Sequence, residues 1–389
     1  MRIDSFEVLR VALPPRREHR WHTMTEQLGS YVLLRLTSSH GVVGWGEATS
    51  LGSWGGDHGR HDGEPPEQVW QTLVDLIAPA ILGIEWTDRH EILDRARAVV
   101  RGHPYAQTSV EEAVLDLVAR THGVPVYELL GGRRRTSIPL AHSLGLMEPD
   151  LAVAEATTAV DEGIRTIKVK VGEDADRDVE TLTRLWSELG DRVALALDAN
   201  QGWGTAVEAE RVLRRLETVS LRYVEQPVEG LRQLELLASR ITHPVMADES
   251  MWNASEMADI GRGGAVRLAS IYTAKAGGLH NALAADAVAF AHGIGTNVNG
   301  SGETGVGNLA NLHLAASMRS LSEACVIPLS RRADDPPTHV AGAMYLDDVL
   351  ARSMTYRDGA IVVPDGPGWG IDVDEARLES FVTKREVVA

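Results

Sequence analysis

With one cysteine in 389 residues, Cys325, the chain can form no internal disulfide. Its apolar surroundings, Ala324 to Ile327, mark a buried structural thiol in a cytoplasmic protein rather than a nucleophile. Positive charge is also scarce. Lysine and arginine number 38 against 55 aspartates and glutamates, a formal net charge of −17. Nucleic acids and anionic membrane surfaces both demand a basic footprint, so neither is expected as a partner. A small substrate is not excluded, because the charge inside a pocket can oppose the sign of the whole molecule. Long apolar runs are missing as well, and no stretch approaches the length of a membrane span. The N-terminal segment Met1 to Arg10 alternates Ile3, Phe6 and Val8 with charged residues, which is not the pattern of a secretory signal.

What remains is globular composition, 44% hydrophobic and 24% charged, at a length suited to one barrel-sized domain and a smaller one. Residues 2–13, 31–37 and 42–48 read as strands. The glycine-rich stretch from Leu51 to Gly63 reads as a binding loop. Helical periodicity then runs from Pro66 to about His122, with breaks near Gly83 and Gly102, which makes residues 1–130 an α+β domain. From Ser137 the pattern turns to alternation. Apolar runs near 138–142, 166–171, 193–198, 221–225, 245–248, 265–272, 295–299 and 324–327 are separated by helical segments, the form of a (β/α) barrel over residues 131–330. The tail, 331–389, has strand-and-turn character and is expected to return to the first domain.

The chemistry is concentrated at the ends of the predicted strands. In Thr166-Ile167-Lys168-Val169-Lys170 a two-residue period points both lysines to one side of a buried strand. Burial and mutual repulsion predict that at least one has a lowered pKa, as a general base requires. The next three strands end in Asp198, Glu225 and Asp248. Three carboxylates converging at one barrel mouth need a cation, and an all-oxygen set suits Mg²⁺. No histidine or cysteine accompanies them at metal-ligand spacing, so zinc is disfavoured. A base beside such a metal removes a proton from the carbon next to a carboxylate.

Lys168-Val169-Lys170, Asp198-Ala199-Asn200, Glu225-Gln226-Pro227, Asp248-Glu249-Ser250, Gly277-Gly278 and the run Gly123 to Gly132 resemble the muconate lactonizing enzyme subgroup of the enolase superfamily. The resemblance spans nearly the whole chain. It implies an α/β fold: a modified (β/α)₇β TIM barrel under an α+β cap built from both termini, with cap loops near residues 21 and 54 selecting the substrate. It further implies Asp198, Glu225 and Asp248 as metal ligands and Lys170 as catalytic base, the base-plus-metal arrangement general to enolase-superfamily sites. Lys168 is expected to assist Lys170 and hold the substrate carboxylate.

The chain departs from the subgroup's Lys-x-x-Lys-x-Gly-Gly pattern at Tyr272-Thr273-Ala274-Lys275-Ala276-Gly277-Gly278. Tyr272 stands in the slot of a second catalytic lysine, and Lys275 is expected to face the following loop. A phenol is a poor base at neutral pH but a usable acid. Dehydration of a hydroxy acid is therefore the leading expectation, ahead of cycloisomerisation and then racemisation or epimerisation. A non-catalytic acid-binding barrel is the reading from another class. Trp21, His22, Trp54, Asp57 and His58 from the cap, and Asn200, Glu249, Asn299 and Glu303 from the barrel, are the expected substrate contacts. Arg60 and Asp62 stand beside them, and the aspartates favour an amino or imino acid such as a hydroxyproline. The expected assembly is a homo-oligomer.

Overall fold

Strands β1 (Ile3–Ala12), β2 (Ser30–Ser38) and β3 (Val43–Ala48) form an antiparallel sheet, extended beyond β1 by the C-terminal strand Val382–Val388. The computed structural model describes residues 2–85, 89–336 and 339–389, without the side chain of His58. Helix α1 (Pro104–His122) lies across β3 at a distance only glycine permits. A Cβ at Gly44 would stand 2.1 Å from the carbonyl oxygen of Ala113, and one at Gly46 would stand 2.0 Å from that of Ser109. The close approach lets α1 cover the free edge of β3. Asp116 accepts a hydrogen bond from Trp45 N at 2.9 Å and Glu112 accepts one from Glu47 N at 2.9 Å, so these edge amides are satisfied by helix carboxylates.

The larger sheet is parallel and runs in chain order: β4 (Ala141–Leu144), β5 (Thr166–Lys170), β6 (Ala194–Asp198), β7 (Leu221–Glu225), β8 (Val245–Ala247), β9 (Leu268–Ile271) and β10 (Gly295–Val298). The run read as an eighth strand, 324–327, closes the circle through single bridges. Cys325 bridges Leu140 and Val326 bridges Asn299, with Val326 N donating to Val298 O at 3.1 Å. Helices occupy the crossovers, among them α2 (Pro149–Asp161), and α3 (Gly305–Ser317) follows β10. Among the described residues no helix is long and apolar enough to cross a membrane.

Two sequence expectations are refined here. The run 138–142 is divided, since Ser137–Pro139 pairs with tail residues Ala360–Val362 while Ala141–Leu144 enters the barrel. The tail therefore returns to two places, one at the barrel's entry and one at the N-terminal sheet through Val382–Val388. Cap, tail and barrel meet again at the start of α3. Glu47 of β3 accepts from Thr304 N at 3.0 Å and Gly307 N at 2.9 Å, and Asp348 accepts from Gly305 N at 2.8 Å. Carboxylates at a helix N-terminus satisfy its unpaired amides and its positive dipole end, which fixes the sheet relative to the barrel mouth.

Candidate active site

Parallel pairing sets the site's geometry. Lys170 is in register with Asp198, Asp198 with Glu225, and Glu225 with Met246, two residues before Asp248. Side chains at these positions share one face, so the lysines and carboxylates read from separate motifs meet. Lys168 Nζ lies 3.0 Å from Asp198 Oδ2 and 2.7 Å from Glu225 Oε1. Lys170 Nζ donates to Asp198 Oδ2 and to Asn200 Oδ1, each at 2.7 Å. Asn200 in turn donates to Glu249 Oε1 at 2.9 Å, and Asn299 donates to Glu225 Oε1 at 3.1 Å.

The electrostatics make Lys168 the charged member of the lysine pair. Burial favours the neutral amine of Lys168, yet Asp198 and Glu225 outweigh it and hold the ammonium well above its ordinary range. The sequence argument weighed only the two lysines against each other and omitted carboxylates within 3 Å from the neighbouring strands. Burial opposes ionisation of Asp198, but Lys168 and Lys170 prevail and keep its carboxyl well below the usual range. Burial pushes the Glu225 carboxyl upward, with Asp198 and Asp248 adding to the shift and Lys168 offsetting part of it. Lys168 is thus an ammonium clamped between carboxylates.

Lys275 departs from its expected place. It is buried, and its Nζ donates to Asp248 Oδ1 at 2.5 Å and to Asp248 O at 2.9 Å, rather than facing a loop. The strand ends at Ile271, Tyr272 follows it and Thr273–Ala276 form a helical turn, so strand parity no longer governs Lys275. A compositional signal existed for it. The chain has four lysines, Lys168, Lys170, Lys275 and Lys384, and three of them converge on these carboxylates.

A small chamber opens onto this cluster. Its walls include Lys168, Lys170, Asp198, Asn200, Asp248, Tyr272 and Asn299 from the barrel and Trp21 and Trp54 from the cap. Lys170 Nζ sits 5.3 Å from the centre of the Trp21 ring, and Trp54 packs 5.8 Å from Tyr272. Burial and nearby Asp248 raise the Tyr272 phenol well above its ordinary range, so it is a neutral donor. Glu225 and Glu249 lie behind the wall. Glu303 is also behind it, folded under Gly300 with Oε1 accepting from Ser301 N at 3.1 Å and pushed up to about 7 by burial and Glu47.

Several expected cap contacts are not in the chamber. His22 is exposed and lines none of it. Asp57 is buried but turned to the barrel backbone, accepting from Gly230 N at 3.1 Å, so it anchors its loop. Arg60 pairs with Glu256 at 3.3 Å and Asp62 is exposed, while the side chain of His58 lies outside the described residues. The reason is the loop's conformation. Its only regular element is the short turn Asp57–Gly59, which presents Trp54 inward and the following polar residues outward or onto the barrel. The sequence reading missed His19, Leu28, Ser143 and Met344, which the structure adds to the wall.

Whether this donor set fits a divalent cation is tested by its unsatisfied atoms. Glu225 Oε2 and Glu249 Oε2 are buried without a hydrogen-bond partner among the described residues, and hard oxygen donors dominate. Among the described residues no three carboxylate, histidine or cysteine side chains stand in a ready-made cluster, because ammonium groups lie between them. The residue types and their stranded charge fit a hard cation; its binding requires the lysines to yield the shared oxygens.

Comparison with known proteins places this geometry in a family. Residues 6–131 match the mandelate racemase / muconate lactonizing enzyme N-terminal domain, and residues 151–377 match the enolase C-terminal domain-like model. L-Ala-D/L-Glu epimerase of Bacillus subtilis is 30% identical over 376 residues, 95% of this chain and 97% of the epimerase. Muconate cycloisomerase 1 of Acinetobacter baylyi is 28% identical, covering 97% and 98%. The structure of muconate lactonizing enzyme from Pseudomonas fluorescens with muconolactone superposes with a TM-score of 0.87 at 30% identity, covering 98% of this chain and 99% of that one. The chain belongs to the mandelate racemase / muconate lactonizing enzyme family of the enolase superfamily, and it is an enzyme of the isomerase or lyase kind.

Proposed function

We propose that the chain is a Mg²⁺-dependent enzyme that removes the α-proton of a small carboxylate substrate, with dehydration of a hydroxy acid as the leading reaction. The observation that carries this reading is the pairing in one chamber of Lys170, an amine held by Asp198 and Asn200, with Tyr272, a neutral phenol. Asp198, Glu225 and Asp248 are the residues that would hold the metal. When bound, Mg²⁺ supplies positive charge that stabilises negative charge gathering on the substrate carboxylate. Asp198 would be one of the residues holding the cation, and Lys170, oriented by Asn200, takes the α-proton at Nζ. The Tyr272 hydroxyl protonates the departing β-hydroxide, giving water, and both groups reset by exchange with solvent. Hydroxide is a stronger base than phenolate, so even a phenol with a raised pKa serves. Trp21 and Trp54 narrow the access of bulk water to the amine.

Cycloisomerisation is the second reading, favoured by the full-length similarity to muconate cycloisomerases. Two-base racemisation is supported least, since Lys275 is tied to Asp248 and lines no part of this chamber. The test is proton NMR of hydroxy acids and dicarboxylates incubated with enzyme and Mg²⁺ in heavy water. α-Deuteration with loss of water supports dehydration, lactone formation supports cycloisomerisation, and the absence of exchange in every acid rejects the proposal.

A further inference from the structure

The antiparallel sheet is closed at one edge and open at the other. Helix α1 covers the β3 side, but among the described residues no strand pairs with the outer side of the C-terminal strand Val382–Val388. Its five central residues, Thr383 to Val387, are all exposed.

The direction of its free backbone groups follows from β1. Ala12 N donates to Phe381 O at 2.9 Å and Thr383 Oγ1 donates to Arg10 O at 3.2 Å, whereas Leu13 N turns the other way, to Gly29 O at 2.9 Å. The even-numbered residues of β1 thus aim their amides and carbonyls at the C-terminal strand. Lys384 and Glu386 stand opposite Arg10 and Val8 and take up those bonds, so the N–H and C=O groups of Arg385 and Val387 point outward.

An edge of this kind is a template for another strand, and proteins commonly blunt it with proline, a bulge or charge. This strand has no proline, and its register shift lies at its start, beside Thr383. Its charges direct pairing rather than prevent it. In an antiparallel pair about a two-fold axis at Arg385, Lys384 faces Glu386 of the second copy, Glu386 faces Lys384, Thr383 faces Val387 and Val382 faces Val388. Lys384 and Glu386 then occupy the non-hydrogen-bonded sites, where opposed side chains come closest. Moving the axis to Lys384 or Glu386 sets like charges there instead. Arg385 meets its own copy at the axis, but its charge is already matched within the chain, with Nε 2.9 Å from Glu7 Oε1 and Nη2 paired with Glu379. Trp70 holds both partners on one face, since Lys384 Nζ lies 3.9 Å from its ring centre and Glu386 Oε2 accepts from its Nε1 at 3.1 Å. The two charges are therefore positioned before a partner arrives, which lowers the cost of association.

We propose that the C-terminal strand is the interface of a symmetric dimer, in which two copies of this chain join their four-stranded sheets edge to edge. The partner is a second copy, selected by two reciprocal contacts between Lys384 and Glu386. Neither metal nor substrate enters the interface, so the proposal stands apart from the reaction.

The test is sedimentation equilibrium of the full chain and of charge-reversed variants. Wild type is expected to associate as a dimer. Lys384→Glu and Glu386→Lys each set like charges across the axis twice, and each should weaken the dimer about tenfold or more. An equimolar mixture of the two variants should regain wild-type association, because one copy then presents two acids and the other two lysines. Val387→Pro removes an outward N–H, leaves the ladder to β1 intact and should also weaken the dimer. Being remote from the Trp70 contacts, it keeps the test decisive if a charge reversal disturbs the fold. A wild-type monomer, an assembly indifferent to the substitutions, or a mixture that stays dissociated overturns the proposal.

Discussion

Lys275 Nζ lies 2.5 Å from Asp248 Oδ1, and the two side chains are buried together at the barrel mouth. A buried carboxylate whose partner is removed keeps its desolvation cost without its compensation. Lys275→Met should therefore lower stability in metal-free buffer by about 3 kcal/mol or more. Because Asp248 is one of the three proposed metal ligands, Mg²⁺ should restore more stability to the variant than it adds to the wild type. Urea unfolding with and without Mg²⁺ checks this, and an unchanged midpoint for the variant contradicts it.

Glu225 accepts from Lys168 and Asn299 through Oε1 while Oε2 has no partner among the described residues. Glu225→Gln keeps the shape and removes the charge, so Mg²⁺ affinity measured by calorimetry should fall at least about tenfold, one charge-assisted contact being worth roughly 1.5–3 kcal/mol. Full affinity in the variant would remove Glu225 from the ligand set.

Lys170 and Tyr272 are separable by isotope. Lys170→Ala should lower α-proton exchange by about a hundredfold to ten-thousandfold, the usual scale of general-base catalysis, with metal affinity retained. Tyr272→Phe should keep exchange but lose most net turnover. Normal turnover in Tyr272→Phe would show that the ring only fills space, and dehydration would lose its support.

His313 offers a pH test away from the catalytic groups. Its Nδ1 accepts from Tyr127 N at 3.1 Å and its Nε2 donates to Trp369 O at 3.2 Å, so α3 is tied to the segment after α1 and to the tail. Burial lowers its pKa to about 4. The unfolded chain then binds more protons than the folded one between the ordinary histidine value near 6.5 and about 4, so this contribution is intact above that window and lost as pH falls through it. The full loss is about 3 kcal/mol. In urea unfolding from pH 7 to 4, wild type should lose stability more steeply than His313→Gln; parallel curves would reject the assignment.

The sequence by itself determined which residues belong to the site's floor. Alternation with period two placed Lys168 and Lys170 on one face, and one carboxylate per strand end forced Asp198, Glu225 and Asp248 to a common mouth, because parallel strands in register leave their ends no other place. Only the tertiary structure decided the electrostatic state, since a pKa depends on distances across strands; Lys168 is held as an ammonium by Asp198 and Glu225. Lys275 and the cap were also decided there. A helical turn after Tyr272 breaks the parity rule that would aim Lys275 away, and irregular loops have no period from which to read direction. Asp57 thus went to the backbone of Gly230 while His19, held by Arg17, came to the wall of the chamber.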